Sequence, residues 1–144
     1  MSLTPRQQSL LDDLLPIDDS HERLAAVVDR ARRRPKLPPA ERSAAHRVPG
    51  CISPVWLVPQ CHANLCHFRA EADSPVVLGL VTLLADFFSD TTPAQILASD
   101  VDPLETLGLT RTLSPTRRHG LAAVRAAIRA FAERQLPANS TPRE

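Results

Sequence analysis

The sequence predicts an α+β domain in which several helices surround one small antiparallel sheet. Apolar residues recur at three- to four-residue steps in segments that follow Ser-Pro, Thr-Pro or Asp-Pro pairs, which favour the first turn of a helix. Between these segments, residues 55–58 and 66–72 have the apolar or alternating patterns of strands. A chain of 144 residues can bury a core of its own, so we expect residues 1–144 to form a single domain.

Two helices, within residues 1–34, are expected ahead of the first strand. In residues 4–15 the leucines fall mainly on one side, and Pro16 ends the helix. Asp19 is typical of an N-cap, and Glu22 gives the capping-box spacing of a second helix. Its last turn is rich in arginine, which opposes the helix dipole; we expect a solvated end, with a docking patch for an acidic partner as the less common alternative. The proline-rich residues 36–48 are expected to form a surface connection.

A β-hairpin is expected next. Residues 55–58 are apolar and β-branched, and Pro59-Gln60 is expected to close this strand. A loop over residues 59–64 would lead to a second strand, half-buried, at residues 66–72. The alternation places four side chains of that strand on one face and three on the other: Cys66, Phe68, Ala70 and Ala72 towards the core, and His67, Arg69 and Glu71 away from it.

Four helices are expected after the hairpin. The first begins at Ser74-Pro75 and is apolar around most of its circumference up to residue 88, which is typical of a central buried helix. Gly108 ends the third, and Pro137 ends the last, before a flexible tail at residues 138–144. The three later helices all begin at a capping residue followed by proline: Thr92-Pro93, Asp102-Pro103 and Ser114-Pro115.

Composition argues against several kinds of partner. The formal net charge is +1, aromatic residues make up 3 %, and tyrosine is absent, so neither a nucleic acid nor an anionic membrane surface is expected. No apolar run approaches the ~20 residues of a membrane span. The beginning of the chain also lacks the apolar core of a signal peptide. The odd cysteine count of three fits free thiols in a reducing cytoplasm.

The most informative segment is the Pro49-Gly50-Cys51 turn. It lies directly before the first predicted strand, where proline stiffens the chain and glycine allows unusual backbone angles. By itself a free cysteine is more often a small core residue than a reactive one. A cysteine on a constrained turn directly before a strand, however, is typical of a thiol that must be accessible to a partner protein.

The order of these motifs resembles the SufE family of sulfur-acceptor proteins. The resemblance covers roughly residues 37–131 and begins with Pro-Gly-Cys-x-Ser-x-Val-Trp at residues 49–56. Two positions depart from the family pattern: Ile52 replaces a usual glutamine, and Pro54 replaces glutamine or arginine. The other matching positions follow in order: residues 73–77, Gly79, Leu80, Thr92, Pro93, Ile96, Asp100, Val101, residues 107–109, Leu113, Pro115, Arg117, Gly120 and Leu121.

The resemblance implies a cytoplasmic accessory protein of iron–sulfur cluster assembly. Such a protein binds a pyridoxal-phosphate cysteine desulfurase and accepts a sulfur atom as a persulfide on its loop cysteine, here Cys51. It thereby stimulates the desulfurase, and it relays the sulfur to a scaffold or another acceptor. The acceptor itself needs no bound cofactor and is not an independent enzyme. The partners that the resemblance implies are a desulfurase of the SufS or CsdA kind, a scaffold or second acceptor, and a second copy of the chain in a homodimer.

Roles for the other site residues also follow from the resemblance. It places Arg117, in the first turn of the last helix, near Cys51 as the cation that stabilises a thiolate or persulfide, together with the free N–H groups of that turn. Gly50 and Ser53 would shape the loop. Apolar neighbours would shelter the thiol at rest, so we expect Cys51 to become exposed when the donor docks. The expected shelter consists of Ile52, Val55, Trp56 and Leu57.

A zinc site is one alternative. Together with Cys51, the pairs Cys61-His62 and Cys66-His67 contain enough ligands, but their spacing is not a familiar structural-zinc pattern. Adjacent strand residues also face opposite sides, so Cys66 and His67 cannot bind the same ion. We expect Cys66 to lie in the core and Cys61 to lie in the hairpin loop as a bystander.

Two further alternatives concern Cys51 itself. A cysteine hydrolase would need a histidine base and an orienting acid, and no triad pattern surrounds His46 or His119. A non-catalytic adaptor would hold a desulfurase without accepting sulfur. A Cys51→Ser variant separates the two roles, because an adaptor would still stimulate the desulfurase and an acceptor would not.

Overall fold

The structure, a computed structural model, describes residues 3–136 and confirms the predicted α+β class. In that part of the chain, six α-helices pack with one two-stranded antiparallel sheet. Pro137 and the expected tail at residues 138–144 lie outside the described residues. The elements are α1 (Pro5–Leu14), α2 (Ser20–Arg32), β1 (Val55–His62), β2 (Leu65–Ala72), α3 (Pro75–Phe88), α4 (Pro93–Ala98), α5 (Pro103–Thr106) and α6 (Pro115–Gln135), with single 3₁₀ turns at Pro39–Glu41 and Ala44–His46.

The hairpin differs from its prediction, because β1 continues through Pro59 and the turn is only two residues long. Ala63 and Asn64 have φ angles of 53° and 66°, as in the tight turns whose twist suits a hairpin. Pro59 pairs with Phe68, whose N–H and C=O both bond to the Ser89 hydroxyl instead of β1. A backbone N–H at position 59 would therefore point away from β2, so proline breaks no bond between the strands.

Helix α3 is the central element of the core, as its sequence predicts. Every residue from Gly79 to Phe88 is buried, and the helix packs against β2 on one side and α2 on another. The contact with α2 is close at Gly79, where an added Cβ would lie 3.0 Å from Val28 Cα. Glycine is favoured there because the neighbouring atom belongs to the backbone, which would have to shift to make room for a methyl group.

The outward face of the sheet is more buried than predicted. Glu71, expected to face solvent, is only 6 % exposed and accepts a 3.1 Å hydrogen bond from the Leu37 N–H. Leu37 and Val48 are themselves buried. The segment at residues 36–48 therefore covers one face of the hairpin and is not simply a surface connection.

The arginine-rich end of α2 is likewise only partly solvated. Arg34 and Arg30 approach the buried carboxylate of Asp86 at 2.5 and 3.2 Å. Both arginine side chains stay partly exposed, Arg30 at 30 % and Arg34 at 46 %. The expected solvated helix end thus also forms ion pairs, because the buried carboxylate of α3 needs a partner. Arg32 and Arg33 remain exposed.

Helix α6 crosses the molecule and brings its first turns beside the segment that enters β1. It packs against α4, α3 and β1, and its buried residues form one stripe: Leu121, Val124, Ile128, Phe131 and Ala132. The Ser114 side chain accepts the Arg117 N–H at 3.2 Å and so begins the helix where the sequence predicts. Within residues 3–136, no helix combines the length and apolar character that a membrane crossing requires.

The Gly79→Ala variant is expected to be less stable than the natural protein by about 1–2 kcal/mol, because the methyl group collides with the α2 backbone. Urea denaturation followed by circular dichroism measures the difference. Gly120→Ala is the matched control, since it adds the same methyl group to a helix but meets its nearest atom at 3.4 Å. The control should be neutral or more stable by up to about 1 kcal/mol, and equal stabilities of the two variants would contradict the proposed collision.

Candidate functional site

Cys51 lies on a turn that is fixed at both ends. The Val48 N–H donates to Val55 O at 2.9 Å, and Arg47 forms a bridge with Trp56 while its guanidinium lies 6.0 Å from the indole centre. These contacts close the chain around residues 49–54. The turn is thus a small loop anchored on the first residues of β1.

Glycines lie on both sides of the contact between this turn and α6, and Gly50 is the one at which a side chain would not fit. Gly50 has a φ of 91°, and a Cβ there would also lie 3.3 Å from Ala123 Cβ. On the helix side, a Cβ at Gly120 would lie 3.4 Å from Cys51 Sγ. The sequence pattern predicted the role of Gly50 but assigned none to Gly120, whose use depends on how α6 packs.

The thiol of Cys51 is half-buried and interacts with a helix carbonyl. Its Sγ donates a 3.4 Å hydrogen bond to Gly120 O. The backbone N–H groups at the start of α6 are not hydrogen bonded to Cys51 Sγ, and the Arg117 N–H donates to Ser114 Oγ instead. A carbonyl acceptor favours the neutral thiol, so the resting geometry opposes the thiolate stabilisation expected from the N-terminal turn of the helix.

Beside the thiol lies a cavity of about 200 Å³ between the loop, α3 and α6. Its inner wall is apolar, and Arg117, Ser114 and Thr116 line its rim. Arg117 and Ser53, both predicted as site residues, thus border the same cavity as Cys51. The apolar wall is formed by Val55, Val77, Leu80, Val81, Leu121 and Val124.

The apolar shelter of the thiol comes mainly from the helices and only partly from the predicted loop residues. Val55 lines the cavity, whereas Trp56 and Leu57 do not. Ile52 borders the cavity but is 80 % exposed, the largest exposed fraction of any large apolar side chain in residues 3–136. Its expected role as a cover was wrong, and it presents an apolar side chain to solvent next to the thiol.

Burial raises the pKa of the Cys51 thiol above its ordinary value, and the nearby Arg47 guanidinium partly offsets this effect. The thiol is therefore mostly protonated at neutral pH. Arg47 was not among the predicted site residues. The signal in the sequence was its position four residues before Cys51, but its approach to the thiol depends on the bridge to Trp56.

The remaining cysteines lie elsewhere. Cys66 is completely buried, which confirms its predicted place in the core. Cys61 lies opposite Cys66 in β1, so its predicted position in a loop was wrong. His67 is on the other face and lies 2.5 Å from Asp90. Within residues 3–136, no group of three or more histidine, cysteine, aspartate or glutamate side chains could hold a metal ion.

Neither His46 nor His119 is hydrogen bonded to the Cys51 thiol. The ring of His46 is hydrogen bonded to the backbone oxygen of Glu41 at 2.9 Å. His119 is exposed and approaches Gly50, whereas the hydrogen bond of the Cys51 thiol goes to Gly120. The geometry therefore offers little support for the hydrolase alternative.

One protein family accounts for most of the chain. The sequence model of the family described as "SufE: Fe-S metabolism associated domain" matches residues 8–132. The chain belongs to the SufE family. The family is associated with iron–sulfur metabolism, and the SufE match begins in α1, well before the residues that carry the resemblance noted above.

The SufE chain also resembles a solved structure. That structure is described as a solution structure of a hypothetical protein from Thermus thermophilus. The similarity has a TM-score of 0.74 and 19 % sequence identity, and it covers 92 % of this chain and 97 % of the other. At this identity the likeness concerns the fold alone, and it extends over nearly the whole of both chains.

The Arg47→Gln variant is expected to raise the pKa of Cys51 further, because it removes the cation that favours the thiolate. The pH dependence of iodoacetamide alkylation, followed on the Cys51 peptide by mass spectrometry, measures this shift. Arg47→Lys should restore most of the natural value. Arg118 is also on α6 but does not line the cavity, so Arg118→Gln should leave the pKa of Cys51 unchanged. If the midpoint does not move in Arg47→Gln, the guanidinium has no effect on the thiol.

Proposed function

We propose that this protein accepts a sulfur atom from a cysteine desulfurase on Cys51, stimulates the desulfurase, and relays the sulfur to iron–sulfur cluster assembly. The observation that carries the proposal is the position of Cys51: a half-buried thiol on a glycine turn at the edge of an apolar cavity. Membership of a family associated with iron–sulfur metabolism supports the same role. The free thiols agree with a reducing cytoplasm as the place of action.

The proposed reaction is a thiol–disulfide exchange. The Cys51 thiolate attacks the outer sulfur of a persulfide on the donor cysteine, a new S–S bond forms, and the donor leaves as its thiolate. Cys51 then carries the extra sulfur. The pyridoxal phosphate that first frees sulfur from cysteine belongs to the desulfurase, and the acceptor needs only an accessible thiolate.

At rest, Cys51 is poorly prepared for this attack. Burial and the bond to Gly120 O both favour the thiol. Movement of the turn about Gly50 would break that bond and expose the sulfur, while Arg47 would still favour the charged form. Docking of the donor is therefore proposed to activate Cys51, and the exposed Ile52 side chain beside it offers an apolar contact for the donor surface.

After transfer, the persulfide is proposed to return towards the cavity. A volume of about 200 Å³ has room for one additional sulfur atom, and the apolar helices would limit access by soluble thiols. Arg117 borders this cavity from the first turn of α6 and would pair with the negative sulfur. Gly50 and Ser53 would give the loop its shape and mobility.

Replacement of Cys51 by Ser is expected to abolish sulfur uptake and most of the stimulation of a cysteine desulfurase. The assay follows the release of alanine from cysteine, together with the mass of the acceptor after incubation with a candidate desulfurase and radiolabelled cysteine. Cys61→Ser is the matched control and should retain both activities, because Cys61 lies in the hairpin outside the described cavity lining. Full stimulation by Cys51→Ser would favour the adaptor alternative and overturn the acceptor role.

Replacement of Arg117 by Ala is expected to shorten the lifetime of the Cys51 persulfide in the presence of glutathione. The physical reason is the loss of a cation that borders the cavity in which the persulfide would lie. The pKa of the resting Cys51 thiol should stay at its natural value, because the cation that lowers it is Arg47. Persulfide decay is followed by mass spectrometry, and Arg118→Gln again serves as the control. An unchanged persulfide lifetime in Arg117→Ala would reject the role assigned to this arginine.

A further inference from the structure

Cys61 and Cys66 face each other at the end of the hairpin that is remote from Cys51. They are direct partners in the register of β1 and β2, just before the two-residue turn. Both side chains are on the core-facing side of the sheet, with Cys66 fully buried and Cys61 half-buried. The site proposed above makes no use of this pair.

The backbone geometry at this pair favours a disulfide. Cys66 donates its N–H to Thr91 O at 2.7 Å, and its C=O accepts the Asp90 N–H at 2.8 Å. Both backbone groups therefore point away from β1, so Cys61 and Cys66 form a non-hydrogen-bonded pair. In such antiparallel pairs the Cα atoms are about 4.5 Å apart, which falls within the roughly 4.4–6.8 Å that disulfides span.

The two thiols also interact, and they differ in reactivity. The pKa of Cys66 is raised to about 12, mainly by burial and to a smaller extent by electrostatic repulsion from Cys61 and a hydrogen bond with its sulfur. Cys66 is thus a poor first nucleophile, and it is shielded from solvent. Cys61 is the thiol that a reagent in solution can reach.

We propose that Cys61 and Cys66 form a reversible disulfide within one chain when the protein meets a peroxide. In the first step the Cys61 thiol loses its proton, its thiolate attacks one peroxide oxygen, and the O–O bond breaks. The leaving hydroxide takes up that proton, which gives a sulfenic acid on Cys61 and one water. In the second step the Cys66 sulfur attacks the Cys61 sulfur, the S–O bond breaks, and a second water leaves with the Cys66 proton. The two thiols lose two electrons, which the peroxide accepts.

Cys51 is separated from this reaction by most of the length of β1. The six residue-to-residue steps from Val55 to Cys61 extend over about 20 Å, and Cys51 lies beyond Val55 against α6. Oxidation of the hairpin pair therefore leaves the Cys51 thiol free. The inference does not depend on sulfur transfer, because it concerns only the two cysteines of the hairpin.

The test treats the full-length protein with equimolar hydrogen peroxide, unfolds it, alkylates the remaining thiols and maps the peptides by mass spectrometry. The expected product has lost two hydrogen atoms, links the Cys61 and Cys66 peptides, and is alkylated only at Cys51. Dithiothreitol should restore three alkylated cysteines. Cys51→Ser should form the same link at the natural rate.

Cys61→Ser is the decisive variant, because Cys61 is half-buried and the change of sulfur to oxygen is small. It should leave Cys66 fully alkylated after unfolding. The proposal is overturned if the link joins Cys51 to either hairpin cysteine or joins two chains. It is also overturned if Cys61 proceeds to sulfinic acid while Cys66 stays free.

Discussion

The site depends on the close contact between the Cys51 turn and α6. Gly50 adopts a backbone angle that other residues avoid and leaves no room for a side chain towards Ala123. On the helix side the Cys51 sulfur lies beside Gly120, where an added Cβ would be in ordinary contact with it at 3.4 Å. The rest of the fold holds these surfaces together, because α3 supports α6 from inside and the bridge between Arg47 and Trp56 anchors the turn on β1.

Where the turn lies against α6, two effects act in opposite directions on the protonation of the Cys51 thiol. Burial and a carbonyl acceptor keep Cys51 neutral, while Arg47 acts in the other direction. Because its pKa is raised, the Cys51 thiol contains little thiolate and reacts slowly with peroxides and soluble disulfides. In the proposed function, therefore, the resting geometry protects the thiol, and reactivity is confined to the time when a donor displaces the turn.

Features that depend on neighbouring residues were predictable from the sequence. Helices α3 to α6 begin at the predicted Ser-Pro, Thr-Pro and Asp-Pro pairs, because an N-cap and a proline at the first position act within one turn. The position of the cavity-lining cysteine and its glycine turn followed from the Pro49–Trp56 motif. Proline usually ends a strand, and for this reason the residue pattern did not indicate that β1 continues through Pro59.

Features that depend on distant contacts were not predictable. Glu71 is buried because Leu37, 34 residues away, donates to it. Asp86 pairs with Arg34 across 52 residues of sequence. The approach of Arg47 to the thiol likewise requires the register of the chain against Trp56. A pattern of residue types contains none of these pairings, since each arises only when the elements pack.

The extended run of β1 has a consequence for association between chains. Arg47 and Val48 cover the start of its outer edge, and Pro59 removes a backbone donor from the middle of that edge. A foreign strand that approached this side would meet an incomplete row of hydrogen-bonding groups, and prolines at such positions oppose edge-to-edge growth of sheets. The hairpin is thereby protected against strand addition and the aggregation that follows from it.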